Sequence, residues 1–115
     1  MKIVINKKHG GFSLSGEAVV LYGKKKGLNI IAVEDKIMKS LIHCYLDKVK
    51  KENYFCERDI QRNDPALIEV VEELGKKADG YFSELKIVEV PDDVKWYIHD
   101  YYGIEEVHEE HRKWS

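Results

Sequence analysis

Asp64-Pro65 is the strongest structural signal in this chain, and it pins a helix to the middle of a sequence that opens and closes with strand-like runs. An aspartate accepts hydrogen bonds from the free N–H groups of a first helical turn. A proline at the first helical position loses nothing, because its missing N–H would have had no partner there. Behind it Leu67, Ile68, Val71 and Leu74 recur at helical spacing, with Glu69, Glu72 and Glu73 on the other side. Gly75 weakens the last turn, and Asp79-Gly80 marks the exit. A chain of 115 residues forms one domain with a modest core, so an oligomer is expected.

Upstream, Ile3-Val4-Ile5 predicts a strand over Lys2 to Asn6. A helix is predicted over Gly16 to Lys25, with Ser15 as its N-cap and Glu17 facing the positive end of the dipole. Lys24-Lys25-Lys26 followed by Gly27 is a stop signal: cations on the last carbonyls, then a glycine for the left-handed exit. Leu28 to Val33 reads as a buried strand. A further helix is predicted over Lys36 to Lys51, capped by Asp35. Ile37, Met38, Leu41, Ile42, Tyr45, Leu46 and Val49 form its apolar stripe, for core packing or, alternatively, for a partner helix. Tyr54 to Cys56 is a short strand.

Downstream the chain reads as sheet. Leu85 to Val90 and Val94 to His99 are strands separated by the turn Pro91-Asp92-Asp93. Asp100-Tyr101-Tyr102-Gly103 is a hairpin loop and Ile104 to His108 returns. In the charged tail from Glu109 to Ser115, Trp114 would dock on the body or on another subunit. The order β-α-β-α-(β)-α-β-β-β predicts a single α+β domain over residues 1–115. It would carry a mixed or antiparallel sheet with about three helices on one face, its N-terminal strands parallel.

Composition narrows the class. No apolar run approaches the roughly 20 residues that span a bilayer. The N-terminus lacks a signal-peptide layout, since its apolar run is only Ile3 to Ile5. Cys44 and Cys56 read as reduced thiols of a cytosolic protein, a disulfide between them being the alternative. Net charge is −2, yet residues 1–62 hold 13 Lys/Arg against 7 Asp/Glu, and residues 63–115 hold 6 against 14. Separate faces of opposite sign would attract an anion and a basic partner surface respectively.

The segment joining the first strand to the first helix carries the residues of a candidate anion cradle: Lys7, Lys8, Gly10, Gly11, Phe12, Ser13 and Ser15. Glycines let backbone N–H groups approach a phosphate, and a helix start adds partial positive charge. The alternative is a glycine turn with a serine cap, and Phe12 either stacks on a base or fills the core. The spacing matches neither G-x-x-x-x-G-K-[ST] nor G-x-G-x-x-G, which argues against nucleotide hydrolysis. Tyr54, Arg58 and Arg62 are candidate closers of the pocket. Lys48, Lys50, Lys51, Arg58 and Arg62 with Tyr54 and Phe55 also sketch a nucleic-acid surface. A pI of about 6.2 disfavours a duplex partner, whereas a small nucleotide needs only one basic pocket.

Catalytic signals are weak. His108-Glu109-Glu110-His111 with His99 offers nitrogen ligands but lacks H-E-x-x-H spacing, so no metal is assigned. Cys44 beside His43 within a helix would not face it. Asp92-Asp93 after a proline reads as a turn former.

Two blocks carry a family resemblance: KIVINKKHGGFSLS at Lys2 to Ser15, and RNDPALIEVVEELG, SELKIVEVPDDVKW, the Tyr102-Gly103-Ile104-Glu105 turn and HRKW within Arg62 to Trp114. They resemble a family of small proteins encoded by tailed bacteriophages and prophages, over roughly two thirds of the chain; the stretch from about Lys24 to Arg58 lies outside it. The resemblance implies a phage accessory protein in the host bacterial cytoplasm and transfers no catalytic residues. The expectation is a non-catalytic, oligomeric binder, without cofactor or membrane partner. It would sequester a small nucleotide-like immune signal. One alternative is an inhibitor that meets a host defence protein through Glu105, Glu106, Glu109 and Glu110. A metal-assisted hydrolase using His99, His108 and His111 is a further one.

Overall fold

The computed structural model of the protein describes residues 1–38 and 41–110. Its strands are β1 (Lys2–Asn6), β2 (Ile30–Glu34), β3 (Ile42–Leu46), β4 (Tyr54–Phe55), β5 (Leu85–Glu89), β6 (Trp96–Tyr101) and β7 (Ile104–Glu109). Helix α1 (Gly16–Lys26) follows β1, and α2 (Pro65–Leu74) lies between β4 and β5. The fold is α+β, and every strand pairing is antiparallel: β1 with β5, β2-β3-β4 in a row, and β6 with β7. The expected parallel start is therefore replaced. β1 pairs with β5, which joins Ile3 to Val88 and Ile5 to Lys86 in register.

Both helices end where local chemistry predicts. Ser15 Oγ accepts from the Ala18 N–H at 3.1 Å, and Gly27 closes α1 in the left-handed region at φ 72°. Asp64 Oδ1 accepts from the Ala66 N–H at 2.9 Å with Pro65 in the first turn of α2. The other Asp64 oxygen accepts from the Tyr22 hydroxyl at 2.8 Å and meets Lys26 Nζ at 3.4 Å, so the start of α2 is tied to α1.

The third predicted helix does not form. Among the described residues there are two α-helices, and within the segment expected to be helical over 36–51 residues 36–37 bend, Ile42–Leu46 form the strand β3 and residues 47–49 bend again. Asp35 does cap, accepting from the N–H groups of Ile37 and Met38, but the chain doubles back and Asp35 N–H bonds to Leu41 C=O. The segment that looked helical also contains the alternation Ile42, Cys44, Leu46. Burying that set against α1 decides the outcome, because tertiary burial outweighs local helix preference. Ile37, the first apolar residue of the supposed stripe, is 92% exposed.

One core joins these pieces. Val4, Phe12, Val19, Ile30, Cys44, Leu67 and Val70 belong to a single buried cluster that draws on β1, α1, β2, β3 and α2. Both cysteines are free thiols. No helix among the described residues is long and apolar enough to cross a membrane. Trp114 and His111 lie outside the described residues.

Candidate functional site

The junction between the two ends of the chain is built on Asn6, the last residue of β1, which is fully buried. A buried amide must satisfy its hydrogen-bonding groups, and this one does so by bridging three segments. Asn6 Nδ2 donates to the carbonyls of Lys8 and Gly103, each at 2.6 Å, and Oδ1 accepts from the Glu84 N–H at 2.9 Å. Its own N–H donates to Glu105 Oε1 at 2.8 Å.

Glu105 completes the junction. Its carboxylate takes both prongs of the Arg62 guanidinium, at 2.6 and 2.9 Å. The side chains are 15% and 5% exposed for Arg62 and Glu105, so the pair is nearly dry. The Arg62 guanidinium also lies 3.6 Å above the centre of the Phe12 ring. The cation is thus sandwiched between a carboxylate and an aromatic face, both of which favour its charge.

The Gly10-Gly11 turn packs under the tip of the β6–β7 hairpin. Both glycines have positive φ, 127° and 91°. A methyl group on Gly103 would fall 2.7 Å from the nitrogens of both Gly10 and Gly11, so the hairpin backbone lies directly over them. On its other side Gly10 touches Phe82: a methyl there would sit 2.7 Å from Phe82 Cβ. His9 Nδ1 contacts the Tyr102 carbonyl at 2.9 Å and adds a further tie.

The predicted site residues divide accordingly. Gly10, Gly11, Phe12, Arg58 and Arg62 line one concavity of about 330 Å³ with Asp100, Tyr102, Gly103 and Glu105. Gly10, Ser13, Ser15 and Arg58 line a neighbouring groove of about 390 Å³ with Tyr81 and Phe82. Lys7, Lys8 and Tyr54 line neither. Tyr54 packs edge-on against Tyr45, its pair within the β2-β3-β4 sheet, and Lys7 Nζ reaches the Glu105 carbonyl at 3.3 Å. Ser15 Oγ is used up as a cap and as a donor to the Lys77 carbonyl. Phe12 is buried in the core under Arg62, which resolves its two readings in favour of packing. Glu105, expected on an acidic surface, is buried in the ion pair, while Glu106, Glu109 and Glu110 are exposed.

Arg58 is the cation left over. It is exposed, and among the described residues it forms no ion pair. It lines both concavities, and exposed aromatics stand at either side: Tyr102 in one, and Tyr81 with Phe82, edge-to-face at 4.6 Å, in the other. Gly16, the first residue of α1, lines the same groove, and its N–H is not taken by the Ser15 cap. Asp79 and Glu57 share that groove, but Asp79 Oδ1 is occupied by the Leu85 N–H. Tyr81, Phe82, Tyr102 and Asp100 were not among the predicted site residues. Tyr102 was legible as a hairpin loop, and nothing local shows that the loop lands on Gly10.

The histidines expected as ligands lie elsewhere. His99 and His108 stack on the outer face of the β6–β7 hairpin, with ring centres 5.0 Å apart, and His108 Nε2 contacts Glu106 at 2.9 Å. That contact holds the Glu106 carboxyl below its ordinary range. Among the described residues no group of three His, Cys, Asp or Glu side chains is arranged to hold a metal ion.

No family model, curated protein or solved structure matches this chain.

Proposed function

We propose that this protein is a non-catalytic binder of a small anionic, nucleotide-like ligand, held in the paired concavities around Arg58. The observation that carries the reading is that one unpaired guanidinium lines both hollows, with exposed aromatic rings in each. Arginine grips phosphate through two parallel N–H bonds, and aromatic rings stack on bases, so the combination suits a nucleotide. A second subunit closing over Tyr81, Phe82 and Tyr102 would exclude water from the site. The likeness to small phage proteins suggests a role for it: sequestering a nucleotide immune signal in the bacterial cytoplasm.

Calorimetry against a panel of cyclic dinucleotides and ADP-ribose derivatives tests the reading. At least one should release heat, and Arg58→Ala should abolish it while leaving thermal unfolding unchanged. A folded protein that binds none of the panel would remove the proposal.

A second reading rests on the exposed Glu106, Glu109 and Glu110 at the end of the last hairpin. They would meet a basic surface on a host defence protein, in a contact weakened by salt. If this reading holds, neutralising all three should abolish capture of that protein; affinity that survives the change rules it out.

A further inference from the structure

The outer face of the β2-β3-β4 sheet brings together three residues that neither hollow uses. His43 sits on β3, the central strand, with Ile42 and Cys44 turned toward the core and His43 and Tyr45 turned away from it. Its Nε2 lies 2.9 Å from Asp35 Oδ2, one residue past β2. On the opposite side, β4 pairs Tyr54 with Tyr45 and Phe55 with Cys44. One step further along that register Cys56 falls opposite His43. Cys56, just past β4, keeps an extended backbone, φ −106° and ψ 118°, and alternation continued by one residue puts its thiol on the outer face with Tyr54. Residues opposite each other in this way have Cβ atoms roughly 5 Å apart. Asp35, one residue past β2, His43 on β3 and Cys56, one residue past β4, therefore follow one another across the sheet in the order carboxylate, imidazole, thiol, the first two joined by a hydrogen bond and the thiol placed by register.

The order has chemical content. A carboxylate accepts a proton-bearing nitrogen, so Asp35 fixes the hydrogen of His43 on Nε2 and leaves Nδ1 free to accept. A thiol next to an oriented base is the arrangement that makes cysteine nucleophilic. We propose that Cys56 is a reactive thiol, with His43 as its proton acceptor and Asp35 as the positioning residue, and that it undergoes exchange with small disulfides. His43 Nδ1 takes the thiol proton, and the Cys56 sulfur attacks one sulfur of the disulfide. The new S–S bond forms as the old one breaks, and the departing thiolate recovers the proton from His43. Nothing beyond the disulfide is consumed.

Cys44 is the internal control. It is 2% exposed, and burial, followed by the charge of Glu57, pushes its thiol up to about 11. The neighbouring ionisable side chains on this face are Tyr45 and Tyr54; burial, then the charges of Cys56 and Glu57, raises the Tyr54 hydroxyl.

The native protein, treated with 5,5′-dithiobis(2-nitrobenzoic acid) and mapped by mass spectrometry, tests this. Cys56 should react at least tenfold faster than Cys44. His43→Gln should slow Cys56 at least tenfold and move its rate–pH profile to higher pH, with an unchanged circular dichroism spectrum. Asp35→Asn, which keeps an oxygen for the Ile37 and Met38 N–H groups, should move the profile in the same sense and guards against a folding defect in the first variant. If Cys56 keeps its rate and profile in both variants, or reacts no faster than Cys44, the proposal is wrong.

Discussion

The Arg62 guanidinium meets the Glu105 carboxylate through two hydrogen bonds, 2.6 and 2.9 Å long, and so locks a residue three positions before α2 to β7. Forty-three positions of sequence separate them. Removing one partner of such a pair leaves the other charged, buried and uncompensated, which typically costs about 3 kcal/mol or more. Arg62→Ala and Glu105→Gln should each destabilise the protein by about that amount in urea unfolding. The double variant should cost less than the sum, because the orphaned charge is gone. Strict additivity would mean that the two do not act as a unit.

Gly103 and Gly27 both have positive φ, 91° and 72°, but only Gly103 has backbone in the way of a side chain. Gly27→Ala should cost about 1 kcal/mol, the strain of a left-handed alanine. Gly103→Ala adds a collision with Gly10 and Gly11 and should cost at least about 2 kcal/mol, with loss of hairpin docking. Hydrogen exchange of the Asn6 and Glu105 amides would report that loss. Equal costs at both sites would contradict the close approach.

Tyr22 is pushed up to about 12 by burial first, then by its hydrogen bond to Asp64 and the charge of that carboxylate. A tyrosine whose folded pKa is raised above the ordinary value of about 10 stabilises the fold fully below pH 10 and loses that contribution as pH rises toward 12. Unfolding midpoints should therefore fall between these pH values, and Tyr22→Phe should flatten that fall. A variant with the same alkaline slope as the parent would place the effect elsewhere.

The contrast between Ile37 and Cys44 tests the replacement of a helix by a strand. Ile37 is 92% exposed, so Ile37→Ser should change stability by no more than about 0.5 kcal/mol. Cys44 is 2% exposed and faces the core, so Cys44→Asp should prevent folding by burying a charge without a partner. A helix over this segment would make Ile37 the costlier site.

Much of the site was visible as residue types and little of it as geometry. The glycines, Phe12, Arg58 and Arg62 were legible because glycine turns and unpaired cations stand out locally. That Arg62 would be neutralised, and Arg58 left free, was not legible, since the neutralising Glu105 arrives from the far end of the chain. For the same reason Glu105 looked like a surface acid among Glu106, Glu109 and Glu110.

By itself the sequence determined both ends of α1 and the start of α2, because a cap is an interaction between residues two to four positions apart and needs no other part of the fold. Tertiary structure alone decided the fate of residues 36–51, where the apolar spacing fits two periods equally well and only burial of Ile42, Cys44 and Leu46 against α1 chooses between them. It likewise decided that the two ends of the chain meet at Asn6. Hydrogen bonds and charges pair through space, and no local pattern encodes a partner 97 or 99 residues away.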